Sequence, residues 1–240
     1  MISKSVTART YAAIFGLLAL AVLFASLGTW QLRRAEASRA TLALFASGTA
    51  GEALASLPRA LDDARFRRVA LDGEFVTQPQ FLLDNMLHEG AAGYHVLTAF
   101  RMPGVQEGVL VNRGWVPAGV DRSVLPDVAV DAGARTVSGR LERLPRPGLR
   151  LGEEPADRGA ATVVLQFPTA SELARRLGSP VFDYQLLLDP GERDGYVRDW
   201  RAPGISAEQH LSYAGQWWAL ALGSLAASTV LALRAARRQP

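Results

Sequence analysis

The sequence predicts an α+β fold in which a mostly antiparallel β-sheet domain with a few short helices lies between two transmembrane helices. Apolar residues concentrate at both ends of the 240-residue chain, in uncharged runs long enough to cross a bilayer. Between these runs, apolar and polar residues alternate in short segments that turn residues separate. The chain contains no cysteine, which excludes disulfides, thiolate zinc sites and a cysteine nucleophile.

The first transmembrane helix is predicted over residues 11–30. This run carries no charge, and about 20 such residues cross a hydrocarbon core of about 30 Å. Trp30 lies where an amphipathic ring prefers to sit, at the lipid–water boundary, and arginines follow it. A cleaved signal peptide is the alternative, because Lys4 and Arg9 precede the run. We favour an uncleaved anchor, since no clean small-x-small cleavage site follows.

The second transmembrane helix is predicted over residues 210–233, and three arginines follow it. Short basic tails stay on the cytoplasmic side, so tails 1–10 and 234–240 are both expected there. The domain of residues 31–209 is then expected in the periplasm. The predicted location is the inner membrane of a bacterium, with the lipid bilayer as an obligatory partner, because no room for an organellar transit peptide precedes the first span.

Helix and strand signals divide the middle domain. We predict a helical stalk over 34–47 that ends at Gly48, a short helix over 52–60, and a helix over 170–177 with Thr169 as its N-cap. Segment 143–160, rich in Pro, Gly, Arg and Glu, is expected to be an irregular loop. Most connections between strands are too short for parallel crossovers. The predicted strands are 69–75, 80–86, 94–102, 108–116, 134–142, 161–167 and 184–189.

Known catalytic motifs are absent from the sequence. There is no Gly-rich phosphate loop before a helix, no nucleophile elbow and no HExxH. Net charge is +3, but the arginines are scattered among acidic residues or sit beside the predicted spans, so no nucleic-acid partner is expected. His88 and His95 flank a predicted hairpin turn. A metal site there is conceivable, although a solvated pair is the simpler interpretation.

A third histidine, His210, opens the second predicted span. On a helix it shares one face with Tyr213, Ala214 and Trp217. Gln216 adds an amide more than one turn into the apolar region, where an unsatisfied amide is costly. An aromatic belt with a polar anchor explains the tryptophans alone. A haem or another hydrophobic cofactor, with neutral imidazole as the axial ligand, also explains the amide and the histidine. The residues themselves leave both interpretations open.

Three segments resemble the Surfeit locus protein family of cytochrome c oxidase assembly factors, in its bacterial branch. They are GTWQLRR at 28–34, GYHVLTAF at 93–100 followed by VLVNRGWVP at 109–117, and HLSYAGQWWALA at 210–221. Each motif alone is moderately specific, and the three in order cover essentially the whole chain. Ala99 stands where the family often has proline after the threonine, a departure that touches a predicted strand.

The resemblance implies an assembly factor and not an enzyme. Bacterial relatives bind haem a and help to deliver it to subunit I of the oxidase, and haem a synthase is a further expected partner. His210 matches the family's proposed iron ligand. The positions that match neighbouring motif residues are Tyr213, Gln216 and Trp217 in the second span, Trp30, Gln31 and Arg34 in the first, and Asn112, Arg113, Gly114 and Trp115 in the domain.

The haem propionates would need cationic partners at the water boundary. Arg34 or Arg113 could supply a guanidinium fork, and for Arg113 a strand-end salt bridge is an equal alternative. A rival function is a membrane-anchored scaffold that stabilises an oxidase assembly intermediate without binding haem. A membrane-tethered periplasmic enzyme is a third class, which the missing catalytic constellation disfavours.

Overall fold

The computed structural model describes residues 2–48, 53–145 and 160–237, with side chains from residue 8 onward. The chain forms two compact units, one of residues 1–43 with 202–240 and the other of residues 44–201. Two long apolar terminal helices flank a β-rich domain, so the predicted fold class is confirmed. The elements are α1 (Ile2–Ser47), β1 (Arg68–Phe75), β2 (Gln80–His88), β3 (Ala91–Arg101), β4 (Gly108–Pro117), β5 (Ala134–Arg143), β6 (Thr162–Leu165), α2 (Ala170–Leu177), β7 (Val181–Leu188) and α3 (Ala207–Ala236).

Helices α1 and α3 are both long and apolar enough to cross a membrane. Helix α1 continues through the predicted stalk and ends before Gly48, whose N–H donates to the carbonyl of Leu44. Helix α3 begins at a capping box: the Ser206 hydroxyl accepts from the N–H of Gln209, and the Gln209 side chain accepts from the N–H of Ser206. Each bond satisfies an amide at the helix start that lacks an intrahelical partner.

The seven strands form one sheet in the order β1-β5-β7-β4-β3-β2-β6. Strand β1 also pairs with the end of β3, at Phe75 opposite Phe100, so β1, β5, β7, β4 and β3 close into a barrel. Closure removes the open edges from these five strands. Strands β2 and β6 extend the sheet beyond β3.

Most of the strand pairs are antiparallel, as predicted, and the β2–β6 and β4–β7 pairs are parallel. The β2–β3 hairpin turns at Glu89-Gly90, both with positive φ, which is the backbone that a two-residue hairpin favours. Helix α2 spans its predicted residues, with the Thr169 hydroxyl as N-cap acceptor. Buried apolar side chains, among them Phe100, Leu141 and Leu186, fill the barrel.

The predicted helix over 52–60 is wrong over the part of it that the structure describes, 53–60. Leu54 instead forms an extended bridge to Val69, and its N–H donates to the Arg68 carbonyl. Leu54 and Leu57 pack against the barrel core, while Pro58 has no N–H to continue a helix. Burial therefore overrides the helix propensity of this segment. Most of the predicted loop at 143–160 lies outside the described residues.

Candidate functional site: the seam between the terminal helices

The two terminal helices pack against each other in antiparallel directions. Phe24 of α1 stacks on Trp217 of α3 with ring centroids 5.7 Å apart, while Gln31, later in α1, contacts His210, earlier in α3. One series of less exposed positions recurs at alternating steps of three and four, the heptad pattern of packed helix pairs, and Ala25, Leu27, Thr29 and Leu211 are partly buried beside it. The positions of this series, which we call the seam, are Ile14, Leu17, Ala21, Phe24, Gly28, Gln31, Ala35 and Ser38 in α1 and Ala207, His210, Ala214, Trp217, Ala221, Ser224, Ser228 and Leu231 in α3.

Small residues make the seam tight on both sides of the histidine. A side-chain carbon added at Gly28 would lie 2.7 Å from the indole ring of Trp218, closer than two such atoms can approach. Ala35, Ala214 and Ala221 are almost fully buried. Because small side chains let helix backbones come close, the longer side chains of Gln31 and His210 are confined between them.

His210 and Gln31 form a hydrogen bond across the seam. The distance from His210 Nδ1 to Gln31 Oε1 is 2.7 Å, and His210 is only 6% exposed. Its other ring nitrogen, Nε2, makes no hydrogen bond to a described residue. Within that part of the chain, the fully buried side-chain nitrogens without a partner belong to Arg140 alone, so Nε2 retains some exposure. The imidazole is therefore held at Nδ1, while Nε2 has no hydrogen-bond partner among the described residues and belongs to a largely buried side chain.

Four other predicted site residues lie on one flank of the seam. Trp30 and Arg34 stand one residue before and three residues after Gln31, and Tyr213 and Gln216 stand three and six residues after His210. Positions one residue before and three or six residues after a given residue lie on one side of an α-helix. A two-fold axis relates the two helices of an antiparallel pair, so this side is the same for both helices. All four side chains are exposed, Trp30 to 53% and Tyr213 to 50%.

This arrangement suits a flat, largely apolar ligand with a metal centre. An imidazole nitrogen without a hydrogen bond could bind iron, exposed aromatic rings could cover apolar surface, and Arg34 could pair with an acidic group. Trp217 lies in the seam and is stacked on Phe24, so it contributes to helix packing. The ligand roles predicted for these residues stay predictions.

Arg113 of β4 lies inside the β-domain and is 2% exposed. Its Nε donates to the Asp194 carbonyl at 2.6 Å, and its Nη1 donates to the Val128 carbonyl at 2.8 Å. The guanidinium also lies over the ring of Tyr196. Burial lowers the pKa of Arg113, and Tyr196 and Asp194 oppose that shift. The side chain thus ties the β4–β5 and β7–α3 connections to the sheet.

The neighbouring Asn112 holds a second polar group inside the domain. Its side-chain Nδ2 donates to Gln185 Oε1 at 3.1 Å and to His95 Nδ1 at 3.3 Å, and its side-chain Oδ1 accepts from the N–H of Gly114. Burial, with a smaller contribution from His88, lowers the pKa of His95 from 6.5 to about 4. The imidazole is therefore neutral at pH 7.

Gly114 and Trp115 complete the same strand segment. Gly114 has φ of 112°, and a side-chain carbon there would lie 2.6 Å from the Val197 carbonyl, so both the backbone and the space require glycine. Trp115 donates its indole N–H to the Met86 carbonyl at 3.0 Å. The motif of residues 112–115 thus makes internal contacts in the domain.

Sequence reasoning missed the partners of this motif. Thr98 donates to Gln80 and accepts from Arg113, and Gln185 donates to the Arg143 carbonyl. The sequence did contain a signal for these partners: polar residues occupy inward positions of strands that are otherwise apolar. A buried polar side chain needs a hydrogen-bond partner. His88 lies close enough to His95 to lower its pKa, and the ring of His88 packs on Trp115 while the ring of His95 packs on Trp200. Within the described residues, no three or more His, Asp or Glu side chains are grouped to hold a metal ion.

The lowered pKa of His95 makes the domain sensitive to acid. Because the folded pKa of about 4 lies below the unfolded value of 6.5, the unfolded chain binds more protons between these values. The contribution of His95 to the free energy of unfolding is fully present above pH 6.5 and is lost as the pH falls towards 4. We expect wild type to lose about 3 kcal/mol more than His95→Asn between pH 7 and pH 4.

Denaturant unfolding of the full chain in detergent, followed by tryptophan fluorescence, measures this difference. Carboxylates titrate in both proteins and cancel in the comparison, and His95→Gln serves as a second variant. Equal losses of unfolding free energy in wild type and both variants would contradict a neutral, buried His95.

Comparison with known proteins places these features in a family. The model of the SURF1 family matches residues 18–222. A SURF1-like protein of Monosiga brevicollis is 31% identical over 115 residues, which cover 43% of this chain and 44% of the relative. The cytochrome oxidase assembly protein SHY1 of Saccharomyces cerevisiae is 28% identical over 120 residues, 48% of this chain and 30% of the relative. The chain thus matches less than half the length of these relatives. Since the family model spans most of the chain, including the β-domain and part of each seam helix, the chain belongs to the SURF1 family.

Proposed function

We propose that this protein is a membrane-anchored biogenesis factor for cytochrome c oxidase that binds haem a through His210 and helps to insert it into subunit I. One observation carries the proposal: His210 is fixed at Nδ1 by Gln31, while Nε2 makes no hydrogen bond in the described chain and is not fully buried. Membership of the SURF1 family, and similarity to the cytochrome oxidase assembly protein of yeast, support the assembly role.

The proposed site lies at the outer boundary of the cytoplasmic membrane. Helices α1 and α3 are antiparallel, so their outer ends lie together at one end of the pair. The basic tails favour a cytoplasmic location for both termini and a periplasmic one for the domain. Arg34 lies one turn beyond Gln31, away from the apolar run, where a guanidinium can meet both water and headgroups.

His210 in the seam and three side chains on the exposed flank each have a defined task in this proposal. Haem a supplies an iron atom with an open axial position and two propionates. His210 offers Nε2 to the iron, Tyr213 and Trp30 cover the macrocycle edge, and Arg34 pairs with a propionate. A single histidine ligand beside an exposed flank allows the cargo to leave towards the oxidase, whereas a closed cage would retain it. Haem a synthase is the proposed donor.

A specific observation favours a second candidate, a scaffold that holds an oxidase assembly intermediate without binding haem. Apolar side chains are exposed at one end of the domain: Leu87 in the β2–β3 hairpin, and Val120 and Val124 in the β4–β5 connection. Arg122 of that connection pairs with Asp84 of β2, which holds the two segments together. Exposed apolar groups on neighbouring segments are typical of protein-contact surfaces. Under this candidate the purified protein carries no haem.

Removal of the proposed ligand tests the haem site directly. We expect wild type, coproduced with haem a biosynthesis enzymes and purified in detergent, to carry haem a, and His210→Ala to lose most of it because the iron loses its protein ligand. Absorption spectra and pyridine haemochrome quantification measure the haem content. His88→Ala is the matched control, since that histidine lies in the β-domain.

Two outcomes would contradict the haem proposal. Wild type without haem would favour the scaffold candidate, and unchanged haem content with an unchanged spectrum in His210→Ala would eliminate His210 as the ligand.

Arg34 is expected to act through the propionate charge. We predict that Arg34→Leu weakens haem a binding about 10-fold, because a charge-assisted pair at a partly wet site contributes about 1 kcal/mol or slightly more. Haem a dimethyl ester, which lacks both propionate charges, should bind Arg34→Leu and wild type equally. Titration followed at the Soret band measures both affinities. A similar loss with the ester would show that Arg34 acts by packing or folding and would exclude a propionate pair.

A further inference from the structure

We infer that Gln31 is a positioning residue: its carbonyl oxygen holds His210 in the Nδ1–H tautomer, which leaves Nε2 as an unprotonated nitrogen ready to bind iron. This role rests on the proposed function of His210 as a haem ligand. The hydrogen bond itself is independent of any cargo.

The tautomer follows from the two atoms that meet. An amide oxygen has no hydrogen to give, so in the 2.7 Å bond to Gln31 Oε1 the hydrogen belongs to His210 Nδ1. A neutral imidazole carries one hydrogen on its two nitrogens. Nε2 is therefore the nitrogen with the free lone pair, and it is the one that makes no hydrogen bond to a described residue.

The surroundings of the pair strengthen this constraint. Gln31 and His210 are both seam residues, and Gly28, Ala35 and Ala214 hold the backbones close around them. In so apolar a setting, an amide or an Nδ1–H without a partner would cost more than in water. Each group therefore depends on the other, and the ring is oriented before any ligand arrives.

The partner of His210 is the amide of Gln31 and not a carboxylate, and this difference affects haem release. Metal-binding histidines commonly donate their second N–H to a carbonyl or a carboxylate, and the carboxylate raises the basicity of the ring more. A neutral amide orients the imidazole without making it a strong donor. Gln31 thus supplies geometry with moderate iron affinity, which is what a protein that must hand over its haem requires.

The tautomer can be measured without haem. The chain has three histidines, so nitrogen NMR of the haem-free protein with 15N-labelled histidine rings gives few signals, and His210→Ala identifies those of His210. We expect the Nδ1–H form in wild type, which the free side chain disfavours, and its loss in Gln31→Leu and in Gln31→Met. Gln216→Leu, which removes an exposed amide from the same helix pair, should leave the tautomer unchanged.

Measurements of haem binding then distinguish the orientation of the His210 ring from its strength as an iron ligand. Gln31→Leu should weaken haem a binding about 10- to 100-fold, the usual effect of removing a metal ligand's hydrogen-bond partner. Gln31→Glu should keep the Nδ1–H form, bind at least as tightly as wild type, lower the haem reduction potential and slow the transfer of haem to excess apomyoglobin. Rescue by Gln31→Glu and failure of Gln31→Leu would identify the hydrogen bond as the cause.

The positioning role of Gln31 and the proposed function would be overturned by different results. An Nε2–H tautomer in the haem-free wild type, with haem binding intact and lost in His210→Ala, would overturn the role of Gln31 and keep the proposed function. An Nδ1–H tautomer in a protein that binds no haem a would keep the hydrogen bond and overturn both the proposed function and the positioning role.

Discussion

The hydrogen bond between Gln31 and His210 depends on a strict condition: two helices from opposite ends of the chain must pack antiparallel in one register. Small residues meet that condition. Gly28 accommodates the Trp218 indole, and Ala35, Ala207 and Ala214 lie almost fully buried around the contact. Without them the backbones would stay too far apart for an amide to reach an imidazole. The proposed haem site therefore depends as much on alanine and glycine as on the histidine.

The SURF1 motifs have different physical tasks in the two units. In the helical unit, Gln31 and His210 bind each other, while Arg34 and Tyr213 remain exposed on one flank. In the β-domain, the buried side chains of Asn112 and Arg113 make internal hydrogen bonds to other side chains and to backbone carbonyls. A motif match therefore does not mark a residue as a ligand contact, and the structure favours Arg34 over Arg113 as the cation available to an acidic cargo.

Sequence reasoning predicted most of the fold because its signals were local. Alternating strands, the hairpin turn between His88 and His95 and the Thr169 cap are each encoded within a few residues, and all were found. The helix predicted over 52–60 is wrong over 53–60, because burial of Leu54 and Leu57 against the barrel outweighs the helix propensity of the segment. The same limit applied to Arg113, whose partner carbonyls lie far along the chain. Barrel closure between β1 and β3 likewise could not be read from either strand alone.

Cysteine crosslinking of the helix pair in native membranes tests the seam most directly. The chain has no cysteine of its own, so every introduced pair reports only on itself. We predict rapid disulfide formation for Ala35→Cys with Ala207→Cys and for Ala21→Cys with Ala221→Cys, and none for Ala21→Cys with Ala207→Cys. Crosslinking of the third pair, or of none, would mean that Gln31 does not lie against His210, and the proposed haem site would lose its foundation.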